Sequence, residues 1–333
     1  MQRKKPLEAK EMVKTMNNNQ SIELFEAVEF LKSHDDFLII SHKNPDGDTI
    51  GCAFSLYYGL TQLGKRAKIA CSDEFPWKYS YIFNDYKNSV EDFPEKTIVS
   101  VDLADKQLFG SLEEYADRVD LCIDHHPSNT FYAKRTLVRS EAAAACEIMF
   151  EVLSGLGVKF TKNISNALYT GLITDSGCFK YTNTTANTHL VAAELIKLGC
   201  DYGQINKKMF DTKTRARLAM EKEAIESLEY FFDNKCAVMT VTDEMLKRTA
   251  ASDGDMEGLA ALPREIEGVE VGITLRQKGN GFKVSFRTGE SVNASEICQS
   301  LGGGGHARAA GCFIEGSAQN AKEILLKKIE EVI

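Results

Sequence analysis

Several features are missing from this sequence, and each absence narrows what the chain can be. Its longest apolar stretches, such as Ala142 to Cys146, are far too short to cross a bilayer as a helix. Met1 to Gln20 has basic residues but no apolar h-region, so no secretory signal is expected there. Positive charge is not in excess: 40 Lys and Arg face 48 Asp and Glu, a net charge of −8. A surface of that sign does not wrap long duplex DNA, although it leaves room for a small phosphorylated ligand in a local pocket. No Cys-x-x-Cys pair occurs, and the nine cysteines (Cys52, Cys71, Cys122, Cys146, Cys178, Cys200, Cys236, Cys298, Cys312) suggest no disulfide framework. Reduced, mostly buried thiols in a cytoplasmic protein are the expectation. Internal repeats and low-complexity tracts are absent too. What is present is a globular composition, 43% hydrophobic and 26% charged over 333 residues, enough for two domains.

Apolar periodicity orders the first half. After a polar lead-in over residues 1–20, Ser21 to Lys32 reads as an amphipathic helix with Ile22, Leu24, Phe25, Val28 and Leu31 on one face. Asp36 to His42 is an apolar run ending in polar residues. That is the pattern of a strand buried on both faces of a parallel sheet, whose C-terminal end carries the chemistry. Thr49 to Leu63 reads as a helix closing at Gly64, and Ala67–Cys71, Thr97–Val101 and Val119–Ile123 as further strands. With helical stretches at Glu141–Leu153 and Ile164–Ile173, the alternation predicts an α/β fold around a mainly parallel sheet. After about Gly199 the order changes. Lys207 to Phe232 is charged, free of Gly and Pro and helical in period, which fits a connecting helix or an ordinary surface helix. Beyond it, Lys235–Val241, Val269–Gln277 and Gly281–Thr288 read as strands, with a hairpin signal at Lys278-Gly-Asn-Gly281. Ala294–Leu301 and Ala318–Val332 read as helices, which makes the second half a smaller α+β domain. The expected divisions are 1–20, 21–199, a helical linker over 200–234, and 235–333.

Acidic residues and histidines gather at the expected strand ends. Ser41-His42-Lys-Asn44-Pro-Asp46-Gly-Asp48 follows the first strand, Ser100-Val-Asp102 ends another, and Ile123-Asp124-His125-His126-Pro127 ends the next. Ile173-Thr-Asp175-Ser176-Gly177 follows a helical stretch. Each has a plain structural reading: Asp-Gly as a turn, His-His as a solvated loop, Asp102 as a helix cap, Asp175 as a partner of backbone amides. In one parallel sheet, however, these loops converge on a single edge. Carboxylates with a minority of imidazoles and no thiolates suit Mn²⁺ or Mg²⁺ rather than structural zinc. Two such ions need about six ligands and one shared carboxylate. His42, Asp46, Asp48, Asp102, His125 and Asp175 provide that number.

The second half holds Gly302-Gly-Gly-Gly305-His306-Ala-Arg308-Ala-Ala-Gly311. Glycines let the backbone approach an anion and aim N–H groups at it, and His306 can add a donor. No Lys-Ser or Lys-Thr follows, so the run is not a Walker loop. Arg287 and Thr288 end a strand with a guanidinium and a hydroxyl, a reasonable clamp for a phosphate or carboxylate. Asn293 serves equally as a helix cap or as a ligand contact.

Taken together these motifs resemble the DHH phosphoesterase superfamily, subfamily 1. The signature is Asp124-His125-His126. His42-x-x-x-Asp46-x-Asp48, Asp102 and Asp175 are similar to the remaining phosphoesterase motifs, and Gly302 to Gly311 to the hallmark of the associated C-terminal domain. The resemblance runs from about Ser21 to the end, with Arg287-Thr288 standing where Arg-Ser is expected. It implies a DHH catalytic domain over 21–199 and a DHH-associated substrate-binding domain over 235–333, with hydrolysis between them. It also implies two divalent cations, Mn²⁺ foremost with Mg²⁺ or Co²⁺ as alternatives. One would sit on His42, Asp46 and Asp102 and the other on Asp48, Asp102, His125 and Asp175. His126 would contact the scissile phosphate, Asp124 would orient the histidines, and Arg287, Thr288, Gly304, Gly305 and His306 would bind substrate. The implied substrates are short oligoribonucleotides and 3′-phosphoadenosine 5′-phosphate (pAp), in a cytoplasmic enzyme for which a homodimer is compatible. A cyclic or linear diadenylate phosphodiesterase is the alternative. A non-catalytic nucleotide sensor is disfavoured by the intact ligand set, and a manganese pyrophosphatase-like enzyme by the glycine-histidine run.

Overall fold

Short, wholly apolar segments cannot face water, and in the first half they assemble side by side. A computed structural model of the chain describes residues 21–86, 93–256 and 258–333, and the extension expected over 1–20 lies outside them. Two compact units divide between Thr212 and Lys213.

In the first unit, β1 (Phe37–Ile40), β2 (Ala67–Ala70), β3 (Thr97–Val101), β4 (Leu121–Asp124) and β5 (Thr136–Val138) form one sheet in the order β2-β1-β3-β4-β5. All four pairings are parallel, so every strand ends on the same edge. β1 and β3 are buried along their whole length, as a sheet covered on both faces requires. The helices of this unit include α1 (Leu24–Ser33), α2 (Gly47–Gln62), α3 (Ala145–Gly155), α4 (Lys162–Asp175), α5 (Ala186–Lys197) and α6 (Tyr202–Asn206), with a single turn at Ser80–Phe83 besides. α1 buries Ala27, Val28, Phe30 and Leu31, but Phe25, expected on its apolar face, is 67% exposed. α2 starts two residues before the expected Thr49, because the Asp46 carboxylate accepts from the backbone of Asp48 and Thr49 and caps it.

The second unit is a six-stranded mixed sheet. After α7 (Arg215–Glu226) come β6 (Glu229–Phe231), β7 (Cys236–Val241) and α8 (Asp243–Thr249). Then follow β8 (Val271–Lys278), β9 (Gly281–Thr288), α9 (Ala294–Ser300), β10 (Gly304–His306), β11 (Ala309–Glu315) and α10 (Ala318–Ile329). The strand order is β10-β11-β9-β8-β7-β6, with β7 and β8 parallel and the remaining pairs antiparallel. The β8–β9 hairpin turns at the expected Lys278 to Gly281.

The stretch expected as one connecting helix is interrupted. A π-helical turn covers Lys207–Asp211, the backbone is extended at Thr212, and Thr214 caps α7 by accepting from Arg217 N at 2.9 Å. A threonine side chain that satisfies a free first-turn amide makes a new helix start cheaper than a continued one. The charged periodicity on either side hides this break. Among the described residues no helix is long and apolar enough to cross a membrane.

Candidate metal centre

Because the sheet is parallel, the residues that follow β1, β3 and β4 are delivered to one place. His42 lies just beyond β1 and Asp102 just beyond β3, where it takes a left-handed backbone conformation with φ 53°. Aspartate tolerates that region better than most residues. The Asp102 N–H donates to Ile123 O at 2.9 Å, continuing the ladder to β4, and the helical segment that follows is capped by Asp105, whose side chain accepts from Gln107 N, so Asp102 is not the helix cap of its plain reading. Asp124 is the last residue of β4, Asp46 and Asp48 stand at the start of α2, and Asp175 ends α4.

These side chains meet. His42 Nε2 is 3.6 Å from Asp46 Oδ1 and 3.7 Å from Asp102 Oδ2. His125 Nε2 is 3.2 Å from Asp175 Oδ2, 3.6 Å from Asp102 Oδ1 and 3.8 Å from Asp48 Oδ2. Asp102 thus faces both imidazoles. Neighbouring ligands on an octahedral ion bound at about 2.1 Å stand about 3 Å apart, so this spacing suits hard cations. Each imidazole is aimed by its other nitrogen: His42 Nδ1 lies 2.7 Å from Lys43 O and His125 Nδ1 3.1 Å from Ala142 O. Nδ1–H donating to a carbonyl leaves Nε2 to face the carboxylates. Asp102 Oδ1 and His125 Nε2 are buried and have no hydrogen-bond partner among the described residues. An orphaned carboxylate oxygen and an orphaned imidazole nitrogen facing one another are what a pair of ligands looks like without its cation.

Electrostatics point the same way. Burial, then the neighbouring Asp48, hold the Asp102 carboxyl well above its usual range. Burial with Asp48 and Asp46 pushes Asp175 up to about 7. Burial disfavours the charged form of His42, but hydrogen bonding with Asp102 and Asp46 outweighs it and raises the imidazole to about 11. So many carboxylates in one place require neutralising charge, from protons or from metal ions.

Further groups hold the cluster in place, and sequence reasoning passed over several. Asp48 is fully buried and accepts from the amides of Ala145 (2.6 Å) and Cys146 (2.9 Å) at the N-terminus of α3. The only sequence signal for this was the run of small residues Ala142 to Ala145, which lets a helix end approach closely. Asp124 Oδ1 pairs with His126 Nδ1 at 2.8 Å, and its Oδ2 accepts from Asn129 Nδ2 at 2.6 Å. That pair raises the His126 imidazole above its ordinary value. Asn183 donates to Asp175 O at 3.2 Å and to Ala143 O at 3.0 Å. The cluster reaches solvent through Asp46, His126 and Asp175, while Asp48, Asp102 and Asp124 are sealed.

In the second unit, register decides what shares a face. His306 stands opposite Ala309, and Ala309 opposite Arg287, so His306 and Arg287 project from the same side with a small residue between them. Two strand spacings put their backbones about 10 Å apart. Gly304 and Gly305 belong to β10, the edge strand of this sheet, and Gly305 O accepts from Ser295 Oγ at 2.8 Å. Thr288 differs from expectation. It is buried, and its hydroxyl donates to Ala307 O at 3.3 Å rather than standing free toward solvent. Asn293 is the cap of α9, accepting from Ser295 N at 3.1 Å.

Family models match both units: the DHH family, N-terminal domain, over residues 36–172, and the DHHA1 domain over residues 233–333. The bifunctional oligoribonuclease and PAP phosphatase NrnA of Thermus thermophilus is 29% identical over 88% of this chain and 89% of its own length. Its namesake in Bacillus subtilis is 21% identical over 87% and 92%. Among solved structures, an exopolyphosphatase-related protein from Bacteroides fragilis superimposes with a TM-score of 0.83 at 22% identity, covering 92% of this chain and 95% of that one. An exonuclease RecJ bound to manganese gives a TM-score of 0.53 at 14% identity, covering 92% and 93%. With both domains matched in order, the chain belongs to the DHH phosphoesterase superfamily, in subfamily 1.

Proposed function

We propose that this phosphoesterase cleaves very short oligoribonucleotides to mononucleotides and removes the 3′-phosphate of pAp to leave AMP. The observation that carries the reading is the convergence of His42, Asp46, Asp48, Asp102, His125 and Asp175, with Asp102 Oδ1 and His125 Nε2 buried and unpartnered. The names of the relatives, aligned over most of both chains, point to the substrates. His42, Asp46 and Asp102 would hold one divalent cation, and Asp48, Asp102, His125 and Asp175 a second, with Mn²⁺ the best match to the donor set. Such a pair supplies Lewis-acid polarisation of a phosphoryl oxygen and lowers the pKa of a nucleophilic water.

The chain's own residues do the rest. Asp124 keeps a proton on His126 Nδ1 and fixes the ring, which leaves Nε2 as the ring atom that would contact a phosphate oxygen. Arg287 and His306 would hold a second anionic group of the substrate. The net charge of −8 fits this scheme: a short nucleotide needs one or two anion sites, whereas a long strand gains affinity from many. A product profile on pAp, dinucleotides, longer RNA and cyclic diadenylate in Mn²⁺ tests the reading. AMP from pAp and mononucleotides from dinucleotides are expected, and cleavage confined to cyclic diadenylate would overturn it.

A further inference from the structure

Asp175 is one of the points where the acidic cluster meets solvent, its carboxylate being 29% exposed. The chain that follows it is wound back on itself. The N–H groups of Lys180 and Tyr181 both donate to Ser176 O at 3.0 Å, Thr184 N donates to Tyr181 O at 3.1 Å, and Asn183 Nδ2 donates to Asp175 O at 3.2 Å. Within this turn the two aromatic residues behave differently. Phe179 stacks on His189 with ring centroids 4.8 Å apart and packs against the core. Tyr181 is 61% exposed, and its ring rests on Gly177 in the place a Cβ there would occupy. Gly177 has φ +57°, a second reason that glycine stands there. Two Cα–Cα steps separate Gly177 from Asp175, so the backbone under the ring lies within about 8 Å of the Asp175 Cα.

A large aromatic ring left in water near the acidic cluster, with its backbone hydrogen-bonded into a turn, offers a face on which a flat partner can stack. We propose that Tyr181 is the stacking surface for a nucleobase of the substrate, a binding role distinct from the metal ligands. This rests on the reading that the substrate is a nucleotide. Every base offers a π-face, so a lone aromatic platform binds without demanding a particular base. The turn holds the ring in place before the substrate arrives, which keeps the ordering cost low.

The test compares wild type, Tyr181→Ala and Tyr181→Phe in Mn²⁺ on two substrates: a diadenosine dinucleotide and the same phosphodiester with both bases removed. Binding of AMP is measured in parallel by calorimetry. Wild type should prefer the base-bearing substrate. In Tyr181→Ala that preference should fall roughly five- to a hundred-fold, mainly through KM, with a matching loss of AMP affinity. Tyr181→Phe should keep both. An equal loss on the two substrates would show that Tyr181 merely props the Asp175 turn. An unchanged preference, or a phenylalanine as damaging as alanine, would also overturn the stacking role. If wild type cleaves both substrates equally well, the stacking proposal falls while the phosphoesterase reading stands. If it cleaves neither, the nucleotide reading falls and takes this proposal with it.

Discussion

Asp102 is the residue where the two halves of the acidic cluster meet, with one carboxylate oxygen toward His42 and the other toward His125. Replacing it by asparagine keeps the shape and removes the charge shared by both imidazoles. On the proposed two-ion reading, Asp102→Asn should therefore lower the bound metal to one ion per chain or none, and should be the most damaging single change in the cluster. Metal analysis of the purified variant checks this, and full occupancy would remove Asp102 from the bridging position. A different outcome is expected for Arg287 and His306, which share a face in the second unit. A charge-assisted contact to an anion is worth about 1.5–3 kcal/mol, so Arg287→Ala or His306→Ala should cost roughly ten- to a hundred-fold in kcat/KM while metal content stays at the wild-type level. Thr288→Val should cost little by comparison, since the Thr288 hydroxyl proton is spent on Ala307.

Elements rather than single ligands decide whether the cluster can assemble at all. α2 and α4 approach so closely at Gly171 that a Cβ there would fall 2.7 Å from Asp48 Oδ1 and 2.9 Å from Asp48 Cα. Gly171→Ala should destabilise the fold by about 1–3 kcal/mol through overpacking and weaken metal binding by displacing Asp48. Thermal melts with and without Mn²⁺ separate the two effects. At the opposite end of the strands, buried Asp36 precedes β1 and pairs with Arg66, just before β2, and with Lys96, just before β3 at 2.8 Å. Hydrogen bonding to Lys96 is the largest influence on its carboxyl, and with Arg66 it outweighs burial and holds the pKa below 3.8. A depressed carboxyl stabilises the fold above its ordinary range and loses that contribution as pH falls through the folded value. Asp36→Asn should accordingly lower the melting temperature near neutrality, with the gap to wild type narrowing below about pH 4. A gap independent of pH would mean that the pairs at the strand starts carry no charge-dependent stability.

At the scale of the whole molecule, composition bears on substrate length. A net charge of −8 offers a long polyanion no extended track, and repulsion outside the site acts over a Debye length of about 10 Å at 0.1 M salt. Across a series of RNAs, kcat/KM should be highest for two to five nucleotides, on the order of the lengths that one or two anion sites can reward, and should fall toward about twenty. The fall should be steeper at low ionic strength. A rise with length, steepest at low salt, would reveal a basic track and argue for a processive nuclease.

Local pattern in the chain is enough to place the buried strands and the residues that end them. A buried parallel strand announces itself as a short apolar run, and the polar residues that end it are where a parallel sheet puts its chemistry. His42, Asp102, Asp124 and His125 were legible for that reason, as were the β8–β9 hairpin and the α/β order of the first half. What holds those residues in place comes from contacts far apart in the chain. The Ala145 and Cys146 amides that grip Asp48 lie 97 and 98 residues away from it in the chain, and the Ala142 carbonyl that orients His125 lies 17 away. No local pattern encodes such partners, because backbone groups are the same in every residue and only folding selects which of them meet a side chain. The same limit explains Thr288, whose hydroxyl is equally polar whether it faces a ligand or the Ala307 carbonyl. It also explains the break at Thr212–Thr214, where a side-chain cap outcompetes a helical period that runs through it uninterrupted.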